Sequence, residues 1–145
     1  MDKDTAASPL PIASLLKRGE IKVLVIEDDK FLLEVIATKL HGEGFKVLEA
    51  PDGEGGIRVA SSEAPHLIIL DLLLPLMDGF EVLEKLRAQK ELAKIPVLVL
   101  SNLNSPEDME RARQLGAKEY LVKAHNTPEE IMEKIKQVLE RFYLP

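Results

Sequence analysis

The sequence contains no cysteine and only three histidines. Without thiols, the chain cannot use a cysteine nucleophile, a disulfide scaffold, or a cysteine-ligated zinc or iron–sulfur centre. His41, His66 and His125 have no partners at a spacing that suits a metal site or a catalytic triad. We therefore assign the histidines no functional role.

Aromatic residues and clustered positive charge are also scarce. The chain has two tyrosines, four phenylalanines, no tryptophan and a formal net charge of −6. A nucleic-acid surface built on phosphate neutralisation and base stacking is therefore not expected. No apolar run approaches the roughly 20 residues of a membrane span. We expect a soluble, cytoplasmic protein that neither inserts into a membrane nor binds nucleic acid directly.

The rest of the composition indicates one folded domain behind a short leader. A chain of 145 residues, 46% of them hydrophobic, suits a single compact core. Residues 1–20 start with acidic residues and are interrupted by prolines, so we predict a tail and not a secretory signal. Ile12, Leu15 and Leu16 fall at helical spacing, which leaves a short amphipathic turn as an alternative. The domain is predicted to cover residues 21–143.

Short apolar runs alternate with longer segments of helical periodicity in this domain. The five predicted strands are Lys22–Ile26, Lys46–Leu48, Leu67–Leu70, Pro96–Leu100 and Tyr120–Val122. The five predicted helices lie near Lys30–Leu40, Gly53–Ser62, Gly79–Ala88, Pro106–Leu115 and Pro128–Phe142. Two of these helices start with a hydroxyl residue, a proline and an acid, and Gly44 and Gly116 are placed to end helices.

Strict alternation of strand and helix predicts a parallel sheet with right-handed crossovers and helices on both faces. The first, third and fourth strands are almost wholly apolar, which is typical of buried central strands. The second and fifth strands are polar at their ends and suit the edges. We therefore predict an α/β fold with the flavodoxin-like, doubly wound strand order 2-1-3-4-5, one of two common arrangements.

Acidic residues follow two strands that are expected to be neighbours. The first strand ends in Glu27-Asp28-Asp29 and the third ends in Asp71, at the point where the winding direction reverses and ligands bind. Carboxylates held close together repel unless their pKa values rise or a cation neutralises them. An all-oxygen pocket favours Mg²⁺, with Mn²⁺ as its substitute. The alternative is that Asp28 and Asp29 only favour the positive end of the first helix.

Ser101 ends the fourth strand and Lys123 follows the fifth. A hydroxyl and an ammonium that face a metal-loaded carboxylate cluster form a site for an anion, and phosphoryl is the anion that these groups suit. Asp71 is the plausible nucleophile, because carboxylates form aspartyl phosphates. The alternatives are that Ser101 is a turn residue and that Lys123 is an ordinary surface lysine.

The motifs VLVIEDD, LIILDLLLPLMDGFEVL, IPVLVLSN and GAKEYLVK resemble, in the same order, those of the receiver domain of bacterial two-component response regulators. The resemblance covers residues 21–142 and suggests the stand-alone, single-domain type. It implies the following roles: Asp71 as phosphoacceptor, Lys123 as the phosphate-pairing lysine, Ser101 and Tyr120 as switch residues, and Glu27, Asp28, Asp71 and the backbone carbonyl of Leu73 as metal ligands. Pro75 and Gly79 resemble the residues that shape the loop after the acceptor. Tyr120 also suits a packing role on an edge strand.

The sequence departs from the family pattern near the switch residue and the lysine. Asn102 stands where family members often have alanine, and Ala124 stands where they often have proline. A cis bond at Lys123-Ala124 would cost about 2.5–4 kcal/mol without proline, so either the loop enforces it or the lysine approaches differently. Glu27 replaces the commoner aspartate, which changes the reach of one carboxylate.

The resemblance implies a signalling domain that promotes phosphoryl transfer only onto itself. The expected donor is a phosphohistidine of a sensor histidine kinase or a histidine phosphotransfer protein. The expected output is altered binding of a protein partner to the face formed by the fourth helix, fifth strand and fifth helix. No effector domain fits after Phe142 in this sequence, so the alternatives are a phosphorylation-dependent homodimer and an output region outside this sequence. The resemblance also implies that the side chains two positions after Asp71 and two after Ser101 influence the access of water to the phosphoryl group. Both are leucine here, Leu73 and Leu103, and cannot orient an attacking water, so we expect slow self-dephosphorylation.

Three other functions are compatible with parts of the sequence. A pseudo-receiver could serve as an interaction scaffold without phosphorylation, although all the expected reactive groups are present. An enzyme that acts on external phosphoesters would need a second acid near Asp71, which Asp71-Leu72-Leu73 lacks. A flavodoxin would need a hydroxyl-rich loop after the first strand in place of three acids.

Overall fold

The structure is a computed structural model and describes residues 19–143. Its strands are β1 Lys22–Ile26, β2 Lys46–Ala50, β3 Leu67–Leu70, β4 Val97–Ser101 and β5 Glu119–Val122. Its α-helices are α1 Lys30–Gly42, α2 Gly53–Glu63, α3 Gly79–Arg87, α4 Pro106–Gln114 and α5 Pro128–Tyr143. Short 3₁₀ turns at Leu92–Lys94 and Lys123–His125 were not predicted.

All neighbouring strands pair in parallel, in the order β2-β1-β3-β4-β5, which confirms the predicted topology. The three central strands are almost fully buried, whereas β2 and β5 have partly exposed positions. Central strands are covered by helices on both faces and need apolar residues throughout. The composition of the strands therefore identified the sheet edges correctly.

Two apolar layers cover the two faces of the sheet. One contains Ile36 of α1 and Ile135 of α5 packed on Val25 and Ile69. The other packs α2, α3 and α4 on the opposite face, for example Phe80 of α3. Successive strand residues point to opposite faces, so the apolar runs of β1 and β3 supply both layers. Among residues 19–143, none of the helices combines the length and the hydrophobicity of a transmembrane span.

Helix ends follow the local signals in the sequence. Thr127 Oγ1 accepts a hydrogen bond from Glu130 N, and Glu130 Oε1 accepts one from Thr127 N, which completes a capping box. Ser105 caps α4 through the N–H of Asp108. Gly44 has a φ of 98° and ends α1 with the paired main-chain bonds of a Schellman motif.

The boundaries differ from prediction by a few residues. β2 continues through Ala50, because Glu49 and Ala50 still pair with β1. β4 starts at Val97 and includes Ser101, so the hydroxyl belongs to the strand itself. Pro96 accepts a bond from Ile68 N through its carbonyl, although a proline has no N–H to donate. The predicted tail and the helical turn near Ile12 lie mainly outside the described residues.

Candidate functional site

Strand register places two buried carboxylates side by side at the top of the sheet. Ile26 of β1 pairs with Leu70 of β3, so Glu27 and Asp71 leave the two strands at the same level. Asp71 N donates to the Ile26 carbonyl over 3.1 Å, which continues the ladder into the site. Glu27 and Asp71 are only 2% and 3% exposed. Their charges are therefore poorly hydrated and need a partner.

A third carboxylate lies at the mouth of the crevice. Asp28 is exposed, and one oxygen each from Glu27, Asp28 and Asp71 lie within 4.8 Å of one another. Three carboxylate oxygens with an open side fit Mg²⁺, which retains several waters and takes few protein ligands. Asp29 has a different role, because its side chain accepts from the N–H groups of Phe31 and Leu32 as the N-cap of α1.

The ammonium of Lys123 lies between the two buried acids. Its Nζ is 2.7 Å from Asp71 Oδ2 and 2.9 Å from Glu27 Oε1. Burial opposes the charge on Lys123, but the hydrogen bonds to both acids outweigh it and raise the pKa of the ammonium. Burial also raises the pKa of Glu27, although bonds from Lys123 and Asp29 N favour its charged form. One cation is thus shared by two carboxylates.

The loop after β3 holds the Asp71 carboxylate in place. Leu73 N donates to Asp71 Oδ1 over 3.1 Å, whereas the Leu73 side chain is exposed. At Gly79, a Cβ would lie 2.5 Å from the Asp71 carbonyl oxygen, so no larger residue fits without movement. Pro75 is exposed in this loop. The role of the Leu73 carbonyl as a metal ligand remains a prediction.

The two expected switch residues meet at Leu103. Ser101 is fully buried at the end of β4, and its Oγ lies 3.4 Å from Leu103 N as acceptor. The Tyr120 hydroxyl donates to the Leu103 carbonyl over 2.7 Å. Burial, followed by the charges of Asp108 and Asp71, raises the pKa of Tyr120. Ser101 and Tyr120 are therefore connected through the main chain of Leu103, a contact that the sequence did not predict.

The loop that carries Lys123 is held by two asparagine side chains that sequence reasoning did not assign to the site. Ala124 N donates to Asn102 Oδ1 over 3.1 Å, and Asn126 Nδ2 donates to the Val122 carbonyl over 2.9 Å. No cis peptide bond occurs in the described part of the chain, Lys123-Ala124 included. One indication of the Asn102 contact was present in the sequence, because positions 102 and 124 both depart from the family pattern.

The arrangement suits the capture of a phosphoryl group. Asp71 and the Lys123 ammonium meet in one crevice, and Glu27 and Asp28 join Asp71 in an acidic cluster that can hold a divalent cation. The Ser101 hydroxyl is buried at the end of the neighbouring strand β4. Positive charge from the cation and the lysine compensates the oxygens of a transferring phosphoryl group. The structure brings Glu27, Asp28, Asp71 and Lys123 together, and places Ser101 and Tyr120 on the two adjacent strands.

Comparison with curated proteins gives relatives among transcriptional regulators. The alkaline phosphatase synthesis transcriptional regulatory protein PhoP of Bacillus subtilis is 35% identical over 120 residues, which cover 83% of this chain and 49% of PhoP. The chain spans about half the length of the curated relatives that it matches.

Comparison with solved structures gives receiver domains. A CheY-like response regulator receiver domain protein from Methanospirillum hungatei has a TM-score of 0.78 at 29% identity, covering 84% of this chain and 95% of that one. The phosphorylated cyanobacterial phytochrome response regulator RcpA has a TM-score of 0.71 at 30% identity, covering 85% and 93%. A family profile for the response regulator receiver domain matches residues 23–136. The chain therefore belongs to the response regulator receiver domain family.

Proposed function

We propose that this receiver domain accepts a phosphoryl group on Asp71 from a phosphohistidine of a sensor histidine kinase or a histidine phosphotransfer protein. The observation that supports this best is the contact of Asp71 Oδ2 with Lys123 Nζ at 2.7 Å inside an acidic crevice. RcpA, a structural relative at 30% identity, is described in its phosphorylated form. The chain acts as a signalling domain, and promotes transfer only onto itself.

In this proposal, Asp71 attacks phosphorus while the phosphorus–nitrogen bond of phosphohistidine breaks. The electron pair of that bond returns to the imidazole, and a new phosphorus–oxygen bond forms on Asp71. Glu27, Asp28, Asp71 and the Leu73 carbonyl would hold a Mg²⁺ or Mn²⁺ ion, which would supply positive charge for the phosphoryl oxygens. The N–H of Leu73 fixes the rotation of the Asp71 carboxylate through Oδ1.

Lys123 changes partner in the course of the reaction. Its ammonium contacts both buried acids in this structure. A phosphoryl group on Asp71 presents oxygens that carry more negative charge than the original carboxylate, so the ammonium pairs with them. The raised pKa of Lys123 keeps it charged across the physiological range.

Phosphorylation then acts on Ser101 and Tyr120 through Leu103. A Ser101 hydroxyl that turns toward the phosphoryl group gives up its contact with Leu103 N, and the carbonyl of Leu103 is the acceptor for Tyr120. The result is a population shift of the face formed by α4, β5 and α5. The proposed readout is altered binding of a protein partner to this face, or formation of a phosphorylation-dependent homodimer. We propose that the domain acts in the cytoplasm and does not itself contact nucleic acid.

The first experiment is incubation of the purified protein with acetyl phosphate and Mg²⁺, followed by intact mass spectrometry. We expect one added phosphoryl group, released by hydroxylamine, and none in Asp71→Asn. No mass should be added when the incubation contains a chelator in place of Mg²⁺. An unmodified wild-type protein, or equal modification of Asp71→Asn, would contradict the proposal and favour a phosphorylation-independent scaffold.

A further inference from the structure

Two asparagine side chains hold the main chain on either side of Lys123, one as a hydrogen-bond donor and the other as an acceptor. Before Lys123, the Val122 carbonyl accepts from Asn126 Nδ2 over 2.9 Å. After Lys123, the Ala124 N–H donates to Asn102 Oδ1 over 3.1 Å. The carbonyl of Lys123 itself accepts from Asn126 N over 3.4 Å.

The contact made by Asn102 joins the segments that follow two different strands. Asn102 directly follows Ser101 at the end of β4, and Ala124 lies 22 residues further along the chain, after β5. The Asn126 contact stays within one turn. Of these two asparagine contacts, the one made by Asn102 links the segment after β4 to the turn that contains Lys123. A proline at position 124 could not make it, because proline has no N–H.

The position of this lysine matters because it has a long, flexible side chain. Four methylene groups separate the ammonium from the main chain, and ordering them costs conformational entropy. The ammonium nonetheless reaches two buried carboxylates at 2.7 and 2.9 Å. When the main chain on both sides of Lys123 is fixed, fewer conformations are open to the lysine. Less conformational entropy is then lost when the ammonium is placed beside the two carboxylates.

We propose that Asn102 and Asn126 clamp the main chain around Lys123 and are positioning residues for phosphoryl transfer to Asp71. Asn102 works as a hydrogen-bond acceptor and Asn126 as a donor. Because Asn102 is adjacent to Ser101, a movement of the switch hydroxyl is also passed to the lysine loop. This inference rests on the proposed phosphorylation of Asp71, but the clamp itself has a readout that is independent of phosphorylation.

The kinetic test compares three variants with the same change, asparagine to leucine. Asn102→Leu and Asn126→Leu each remove one clamp bond, whereas Asn104→Leu alters an exposed residue of the same loop as Asn102. With acetyl phosphate and saturating Mg²⁺, we expect each clamp variant to be phosphorylated about five-fold more slowly, a factor that corresponds to one net hydrogen bond. Asn104→Leu should match the wild type, and Mg²⁺ affinity should be unchanged in all three.

The second test is amide hydrogen exchange at Ala124, measured by NMR relative to the His125 amide in the same variant. Exchange should accelerate in Asn102→Leu, and should stay slow in Asn102→Asp, which retains an acceptor oxygen at the same position. Slow Ala124 exchange in Asn102→Asp, beside fast exchange in Asn102→Leu, would not be expected if the side chain at position 102 contributed only packing. The exchange result holds even if the wild-type protein takes no phosphoryl group, so failure of the clamp is separable from failure of the proposed function.

Two results would overturn the clamp. One is equal Ala124 exchange in the wild type and Asn102→Leu. The other is phosphorylation of Asn102→Leu and Asn126→Leu at the same rate as Asn104→Leu.

Discussion

Replacement of Lys123 by methionine tests how the crevice balances its charge. Lys123 contacts Glu27 and Asp71, and the side chains of both acids are only 3% exposed. With Asp28 included, the formal charge of the four groups changes from −2 to −3 on substitution. Methionine keeps the length and the apolar character of the stem, so the change removes mainly the ammonium.

The expected loss of stability follows from the burial of the two acids. Opposite unit charges about 4 Å apart interact by about 4 kcal/mol at an effective dielectric constant of 20, and removal of one partner of a buried pair costs about 3–5 kcal/mol. Burial already raises the pKa of Glu27, and loss of the ammonium raises this pKa further, which limits the penalty. We therefore expect Lys123→Met to lower the free energy of unfolding by about 3 kcal/mol in the absence of divalent ions.

Divalent ions should reverse much of this loss. Mg²⁺ brings positive charge to the same oxygens without competition from the ammonium, so we expect about ten-fold tighter binding to Lys123→Met, equivalent to about 1.4 kcal/mol. Urea unfolding with a chelator or with Mg²⁺ measures the stability, and calorimetric titration measures the affinity. The matched control is Lys39→Met, because Lys39 pairs with Glu129 at 2.8 Å on the surface and should show no resolvable change. Equal stabilities for Lys123→Met and Lys39→Met, or unchanged Mg²⁺ affinity in Lys123→Met, would refute the idea that the Lys123 ammonium compensates the charges of Glu27 and Asp71.

Three further predictions concern packing, pH and the lifetime of the modified state. Gly79→Ala should destabilise the protein by about 2–3 kcal/mol in urea unfolding, because its Cβ would meet main-chain atoms near Asp71. Gly42→Ala, with nothing within 4 Å, should stabilise by about 0.5–1 kcal/mol; the opposite order would contradict the packing argument. Burial, helped by the charge of Lys22, lowers the pKa of His66 below 6.5, so the unfolded chain binds more protons and stability falls as the pH drops below this value. His66→Asn retains an acceptor for the main-chain N–H of β1 and should flatten urea-derived stability between pH 7 and 5; an unchanged slope would exclude His66 as the cause. Phosphorylated Asp71 should persist for minutes or longer and hydrolyse faster in Leu73→Asn, as followed by mass spectrometry; a half-life of seconds in both proteins would contradict this.

The fold was predictable because its main signals are local. Apolar runs with turn residues between them located five strands, and caps such as Ser105 and Thr127 marked helix starts that the structure retains. Strand order followed from the polarity of β2 and β5, since edge strands have one side in contact with solvent. Exact ends were less predictable, because the last residues of β2 belong to the sheet only through pairing with β1.

The candidate site was predictable in its residue types but not in its contacts. Positions at the ends of parallel strands meet at one edge of the sheet, so acids after β1 and β3 could be expected to converge. The position of Asp29 at the start of α1 was one of the alternatives that the sequence offered, but that Glu27 shares Lys123 with Asp71 depends on side-chain directions at the strand ends. Spacing along the chain carries no such information.

The order of strands and helices, the family resemblance and the reactive side chains of the candidate site could all be read from short segments of the chain, because periodicity, caps and residue types are local properties. Which side chains share the Lys123 ammonium, and which share a hydrogen-bonding partner, depends on the folded arrangement of the strands. The bond between Asn102 and Ala124 joins the segments that follow β4 and β5, and the meeting of Ser101 and Tyr120 at Leu103 depends on how β4 lies beside β5. Such contacts form between distant parts of the chain, and their distances exist only once the sheet has assembled.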